Sequence, residues 1–199
     1  MKSQGALLGV SGVFFGVLVG WILGSQQAAP PAVVSGSPAP AGGSTSTSSA
    51  PPLDLQRASD LERQANARPA DANVRVELGD LYFDAQRFDL AIPWYQAALK
   101  IDNRNVNAST DLAVSLFSTN EVDRALKQID HSLSVDPRHA KTLLNQGIIR
   151  AWGKQDLEGA AAAWEQVVKV APTSPEGTQA KQFLDGLKSA HKGVGGKRP

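Results

Sequence analysis

Cysteine is absent from all 199 residues. Its absence excludes a disulfide, a thiol nucleophile, a cysteine-held metal and a lipid-modified amino-terminal cysteine. Histidine is scarce, with only His131, His139 and His191. His131 and His139 have Asp130 and Asp136 close in sequence, but a helix end followed by a turn points such side chains apart, so no metal is expected. Glycine-rich phosphate loops are missing too, because Gly193 to Gly196 neither follows a strand nor opens a helix. The carboxylates are scattered, with no partner that marks a catalytic pair. No enzyme activity and no cofactor are therefore expected. Charge of either sign is missing between Lys2 and Asp54. Setting Lys2 aside leaves 19 of the 20 basic residues against 19 acidic ones. That balance argues against nucleic acid as a partner. The basic, glycine-rich end, residues 191–199, reads as a solvated, frayed tail.

The charge gap holds two different segments behind a short start, residues 1–5. Residues 6–24 carry no strongly polar side chain except Ser11. As a helix they would rise about 28 Å, close to the hydrocarbon thickness of a bilayer. The stretch is expected to span a membrane once. A cleaved signal peptide is the competing reading, but its apolar run is usually only ~7–15 residues and its positive region stronger. Lys2 and the amino terminus are the only positive groups beside the span, so the positive-inside rule places them in the cytoplasm and the rest outside it. The expected location is a bacterial inner membrane with the folded part in the periplasm. Gly12, Gly16, Gly20 and Gly24 recur every four residues and share one helix face, where two backbones can approach closely. A homodimer through the membrane helix follows as an expectation. Residues 25–52 are Ala, Pro, Ser, Gly and Thr with little else, and no side chain is ionisable. Such a segment cannot bury a core and is expected to be a disordered linker with an r.m.s. span of roughly 30 Å.

Beyond the linker the sequence repeats itself. Leu78-Gly79-Asp80-Leu81-Tyr82 overlies Leu112-Ala113-Val114-Ser115-Leu116 at an offset of 34 residues. At the same offset Ala91 meets Ala125, Tyr95 meets Ile129, Ala98 meets Ser132 and Asn103 meets Pro137. A third copy has Gly147 34 residues beyond Ala113, while Ala160, Trp164, Val167 and Pro172 lie 35 beyond their partners. One extra residue has entered between Gly147 and Ala160. Small residues at fixed places let paired helices approach; large ones fill the space between units. Proline ends the second helix, which it cannot continue.

A period of 34 with this pattern resembles the tetratricopeptide repeat, a helix-turn-helix unit that stacks into a solenoid. The resemblance implies an all-α, right-handed solenoid over residues 53–190. Its parts are a half-repeat at 54–69, repeats at about 72–105, 106–139 and 140–174, and a capping helix at 175–190. Helix A of each repeat is expected at Asn73–Ala85, Val106–Ser118 and Ala140–Trp152. Helix B is expected at Phe88–Ile101, Val122–Val135 and Leu157–Val170. Pro93 falls just past the first turn of the first helix B if Asp89 is its N-cap, which predicts a small distortion and no break. Caps are needed because a bare end leaves its stacking face in water.

In that family helix A lines a concave groove. The corresponding positions here are Asn73, Val76, Asp80, Phe83 and Asp84 in the first repeat. They are Asn107, Thr110, Val114, Phe117 and Ser118 in the second, and Lys141, Leu144, Ile148, Ala151 and Trp152 in the third. One branch grips the carboxyl-terminal acid of chaperones with a lysine and asparagine clamp; Val76 and Asp80 stand where that clamp would begin. Val76, Phe83, Val114, Phe117, Leu144, Ile148 and Trp152 form an apolar strip suited to an amphipathic helix or extended apolar segment. The expected function is a membrane-tethered protein-binding scaffold. The alternatives are a structural adaptor of an envelope assembly and a cytosol-facing receptor like the mitochondrial import receptors. The anchored repeats with their half-repeat also resemble, loosely, the apocytochrome-holding subunits of bacterial cytochrome c maturation.

Overall fold

In a computed structural model the described residues are 50–195, with side chains through 189. The expected membrane span, its glycine face, the linker up to residue 49 and the tail beyond residue 195 lie outside them. Among the described residues every element is helical, and no helix is long and apolar enough to cross a membrane.

The order is α1 (Leu55–Ala67), α2 (Ala72–Asp84), α3 (Phe88–Ile101), α4 (Val106–Ser118), α5 (Val122–Val135), α6 (Ala140–Ile148), a π-helical segment (Ile149–Lys154), α7 (Leu157–Val170) and α8 (Pro175–Gly195). Each helix packs on the next in sequence, and α4 also touches both α2 and α6. The result is an all-α stack of helical hairpins. Helices α2, α4 and α6 form one row, and α3, α5 and α7 the other.

The starts and stops follow from short-range chemistry. Asp54, Asp71, Asn105 and Asp156 cap α1, α2, α4 and α7 by accepting backbone N–H bonds of 2.8 to 3.0 Å. Such caps satisfy donors that a helix cannot satisfy itself. Each first helix of a hairpin ends in a left-handed residue, Gln86 (φ 55°), Asn120 (φ 66°) and Gln155 (φ 57°). The chain reverses there: Arg87 N donates to Tyr82 O and Glu121 N to Leu116 O, both at 2.8 Å.

Two expectations need correction. The third helix A is α-helical only to Ile148 and then widens into the π segment, where α-helix to Trp152 was expected. The extra residue is the cause. Gln155 lies 35 residues after Asn120, where Asn120 lies 34 after Gln86, and a wider turn absorbs one residue without breaking the helix. The reversal shows the same slip, since Asp156 N reaches six residues back to Arg150 O at 3.0 Å. Second, the N-cap of α3 is Arg87 and not Asp89, so Pro93 sits two residues deeper than expected. The helix still runs through it. Pro93 is exposed, so water can reach the Asp89 carbonyl that its missing N–H leaves unpaired.

At the capping end α8 continues to Gly195, past the expected stop at Ala190. No proline lies between Pro175 and Pro199 to end it.

The hairpins close on small residues. A Cβ on Gly79 would meet the Tyr95 ring at 2.6 Å, and one on Gly147 the Trp164 indole at 2.2 Å. Both rings are fully buried, so neither can swing aside. Gly186 on α8 has nothing within 4 Å of an added Cβ. Gly147→Ala should therefore lower unfolding stability by about 2–4 kcal/mol through overpacking. Gly186→Ala should leave it unchanged or raise it by up to about 1 kcal/mol. Urea denaturation of both variants checks the contrast.

Candidate functional site

The fifteen groove positions lie on α2, α4, α6 and the π segment, but they do not share one environment. Thr110, Val114, Leu144, Ile148 and Phe83 are buried in the stack. Phe83 is held edge-on between Phe88 and Tyr95, with ring centroids 5.3 and 6.4 Å away. Val76, Asp80, Phe117, Ser118, Lys141 and Ala151 are half-buried, and Asn73, Asp84, Asn107 and Trp152 are exposed. Of the seven apolar positions, only Val76, Phe117 and Trp152 present appreciable surface. Phe117 rests over Gly153, where an added Cβ would lie 3.1 Å from its ring. Trp152 is 39% exposed and packs beside Trp164 and Phe183, at 6.0 and 5.5 Å between centroids. Its inner edge therefore belongs to the junction with the capping helix.

Charge gives this row of helices its second property. Asp80 accepts a 2.7 Å hydrogen bond from the Tyr95 hydroxyl. Its pKa is nonetheless raised to about 6, first by burial and then by the neighbouring Asp111 and Asp84 carboxylates. Burial also raises Asp84, with Asp111 adding to it. Asp111 is buried on α4, and burial pushes its carboxyl up while Lys141 draws it back down. Lys141 Nζ lies 2.7 Å from Asp111 Oδ1 and forms an ion pair with it. Three carboxylates and one ammonium thus come together from three successive repeats.

The groove positions implied by the family resemblance included Asp80, Asp84 and Lys141 but not Asp111. It occupies the place of Glu77 one repeat earlier, which is exposed, and of Asn145 one repeat later, which is buried. A charge at a place the next repeat keeps neutral was the available signal. His139 and His131 do not converge. His139 Nδ1 is 2.7 Å from the Thr142 hydroxyl, and His131 Nε2 is 2.9 Å from the Asn103 carbonyl. Among the described residues no cluster of His, Asp and Glu has the arrangement of a metal site.

With this geometry in hand, the relationships to known proteins are consistent. Residues 79–120 match a family model described as TPR repeat, and residues 110–175 one described as tetratricopeptide repeat. Residues 79–175 are tetratricopeptide repeats. Human protein O-mannosyl-transferase TMTC3 is 30% identical over 112 residues, which are 56% of this chain and 12% of that protein. Hsp70-Hsp90 organizing protein 3 of Arabidopsis thaliana is 25% identical over 129 residues, 65% of this chain and 22% of that one. The chain thus spans under a quarter of the length of either relative. The crystal structure of MamA superposes with a TM-score of 0.61 at 19% identity, over 69% of this chain and 77% of MamA. The first TPR of Spaghetti (RPAP3), bound to the HSP90 peptide SRMEEVD, gives 0.52 at 24%, over 59% and 93%. At these identities the structures share the fold.

The raised Asp80 pKa has a definite sign. The folded state holds the Asp80 proton to higher pH than an unfolded aspartate does. Its contribution to stability is therefore complete below about pH 4 and is lost as pH rises through about 6. Asp80→Asn keeps an acceptor for Tyr95 and removes the titration. Going from about pH 4 to about pH 7, the wild type should lose up to about 3 kcal/mol relative to this variant. Urea denaturation at both pH values measures it, and parallel stability curves would contradict the assignment.

Proposed function

We propose that this chain is a scaffold that holds a segment of a partner protein against its A-helix row, the concave face in tetratricopeptide-repeat proteins. One observation carries the reading. Partly exposed apolar side chains and carboxylates share this row: Val76, Asp80 and Asp84 on α2, Phe117 on α4, and Trp152 on the π segment beyond Lys141. Apolar anchors beside fixed charge are how a groove grips an amphipathic segment. The carboxylates favour a guest that carries Lys or Arg next to its apolar residues. They disfavour an acidic peptide of the SRMEEVD kind, and Val76 and Asp80 replace the lysine and asparagine that would hold one. An unfolded apocytochrome segment is one guest of the amphipathic class.

The scaffold is tethered. The apolar run at residues 6–24 serves as a single membrane span, and residues 25–52 act as a leash. The two positive groups at the amino terminus favour placing the repeats in the periplasm of a bacterium. The glycines at positions 12, 16, 20 and 24 would pair two such spans. A second reading, an adaptor of an envelope assembly, draws on the enclosure of Phe83, Thr110, Val114, Leu144 and Ile148. Those side chains serve the stack and leave less groove for a guest.

Photo-crosslinking distinguishes the two. A benzophenone side chain at position 117 or 152 should capture one partner segment in cells, at several times the yield from exposed position 165 on α7. Equal yields from all three would remove the concave groove from the account. For the tether, the full chain should stay in the membrane pellet after an alkaline wash, and a version without residues 6–24 should be released.

A further inference from the structure

The stack has a second groove, on its other row of helices. It lies between α3 and α5, has a volume of about 480 Å³, and is floored by Leu99, Leu112 and Leu116. Its walls carry Lys100, Arg124, Lys127 and His131, and none of its ten lining residues is acidic. Arg124 pairs with Glu121, and His131 is turned toward the Asn103 carbonyl. Lys100 and Lys127 are exposed and form no ion pair with a carboxylate among the described residues. The groove is thus apolar at the bottom and cationic at the rim.

The repeat itself supplies a control. At the next junction, between α5 and α7, the same four rim places hold Ser134, Gly159, Ala162 and Gln166. Floor positions Leu112 and Leu116 become Gln146 and Arg150. At the preceding junction the places of Arg124, Lys127 and His131 hold Leu90, Pro93 and Ala97. Stacking one repeat on another therefore requires neither the cations nor the open leucine floor. Both features occur together at one junction of three.

We propose that this groove docks an acidic segment of a partner protein, one with an apolar side chain between carboxylates. The apolar side chain would enter over Leu99, Leu112 and Leu116, and the carboxylates would meet Lys100 and Lys127. The cavity has the size of sites that enclose a few side chains. The Gln96 carboxamide in the walls, with the Oε1 of Gln128 whose Nε2 is held by Ser109, suits a peptide backbone better than an acyl chain, which favours protein over lipid. Residues 25–52 and 191–199 contain no acidic side chain, so neither segment has the chemistry of this guest. The site is separate from the concave face and takes a guest of opposite charge.

The test uses the full chain in a mild non-ionic detergent and a fluorescein-labelled peptide with one phenylalanine flanked by glutamates. Anisotropy should show saturable binding that weakens as salt is added. Lys100→Ser with Lys127→Ala installs what the next repeat already carries, so the helices should form as before, which circular dichroism checks. That variant should bind about tenfold more weakly. Asp84→Asn on the other face should bind as the wild type does, which separates this site from the concave groove. Lysine in place of the peptide's glutamates, or alanine in place of its phenylalanine, should abolish binding. Equal affinity in wild type and the double lysine variant would overturn the proposal. So would rim-dependent binding of phosphatidylglycerol vesicles with none of the peptide.

Discussion

Helix α4 is enclosed on nearly every side, and the rest of the array is arranged around that fact. From Ala108 to Leu116 every residue is buried, although Ser109, Thr110, Asp111 and Ser115 are polar. A polar group removed from water costs free energy unless a partner replaces the lost hydrogen bonds. Each of these four finds one at short range. Ser109 accepts bonds of 2.6 Å from Ser132 and from Gln128 on α5. Thr110 shares a 2.6 Å bond with Thr142 on α6, Ser115 donates to the Asp111 carbonyl at 2.8 Å, and Asp111 pairs with Lys141. The Thr110–Thr142 and Asp111–Lys141 contacts fix how the second hairpin meets the third, where apolar packing alone would allow some slippage, while those of Ser109 and Ser115 lie within the second hairpin.

The same arrangement sets the chemistry of the row that α4 shares with α2 and α6. Keeping Asp111 inside the stack brings a carboxylate toward Asp80 and Asp84 on the preceding repeat, and both are shifted upward partly on its account. Lys141 offsets only part of that charge. A structural requirement of the central helix thus becomes an electrostatic property of the face where tetratricopeptide repeats take guests. On the opposite row Lys100 and Lys127 form no ion pair among the described residues, although that row also carries Asp123 and Asp130.

Much of the fold was legible because the repeat is written in side-chain size. Gly79 with Tyr95, Ala113 with Ile129 and Gly147 with Trp164 each place a small residue on the first helix opposite a large one on the second. That pairing alone places α3, α5 and α7 where they are found. The π segment was less legible. The extra residue was visible as an offset of 35, but an offset does not say whether a loop or a helix absorbs it. The exposure of the groove was less legible again. Val114, Leu144 and Ile148 occupy places that line a groove in the family, yet here neighbouring helices cover them. Burial depends on the distance between repeats, which no spacing along the chain encodes. Asp111 was missed for a related reason: its partner Lys141 lies 30 residues away and meets it only once the hairpins have stacked.

Native-state hydrogen exchange of the full chain tests most directly whether the array is built around its central helix. The account predicts that the amides of α4 exchange slowest, near the rate of global unfolding, with α1 and α8 exchanging fastest because each is packed from one side only. Exchange from α4 as fast as from α1 and α8 would contradict it.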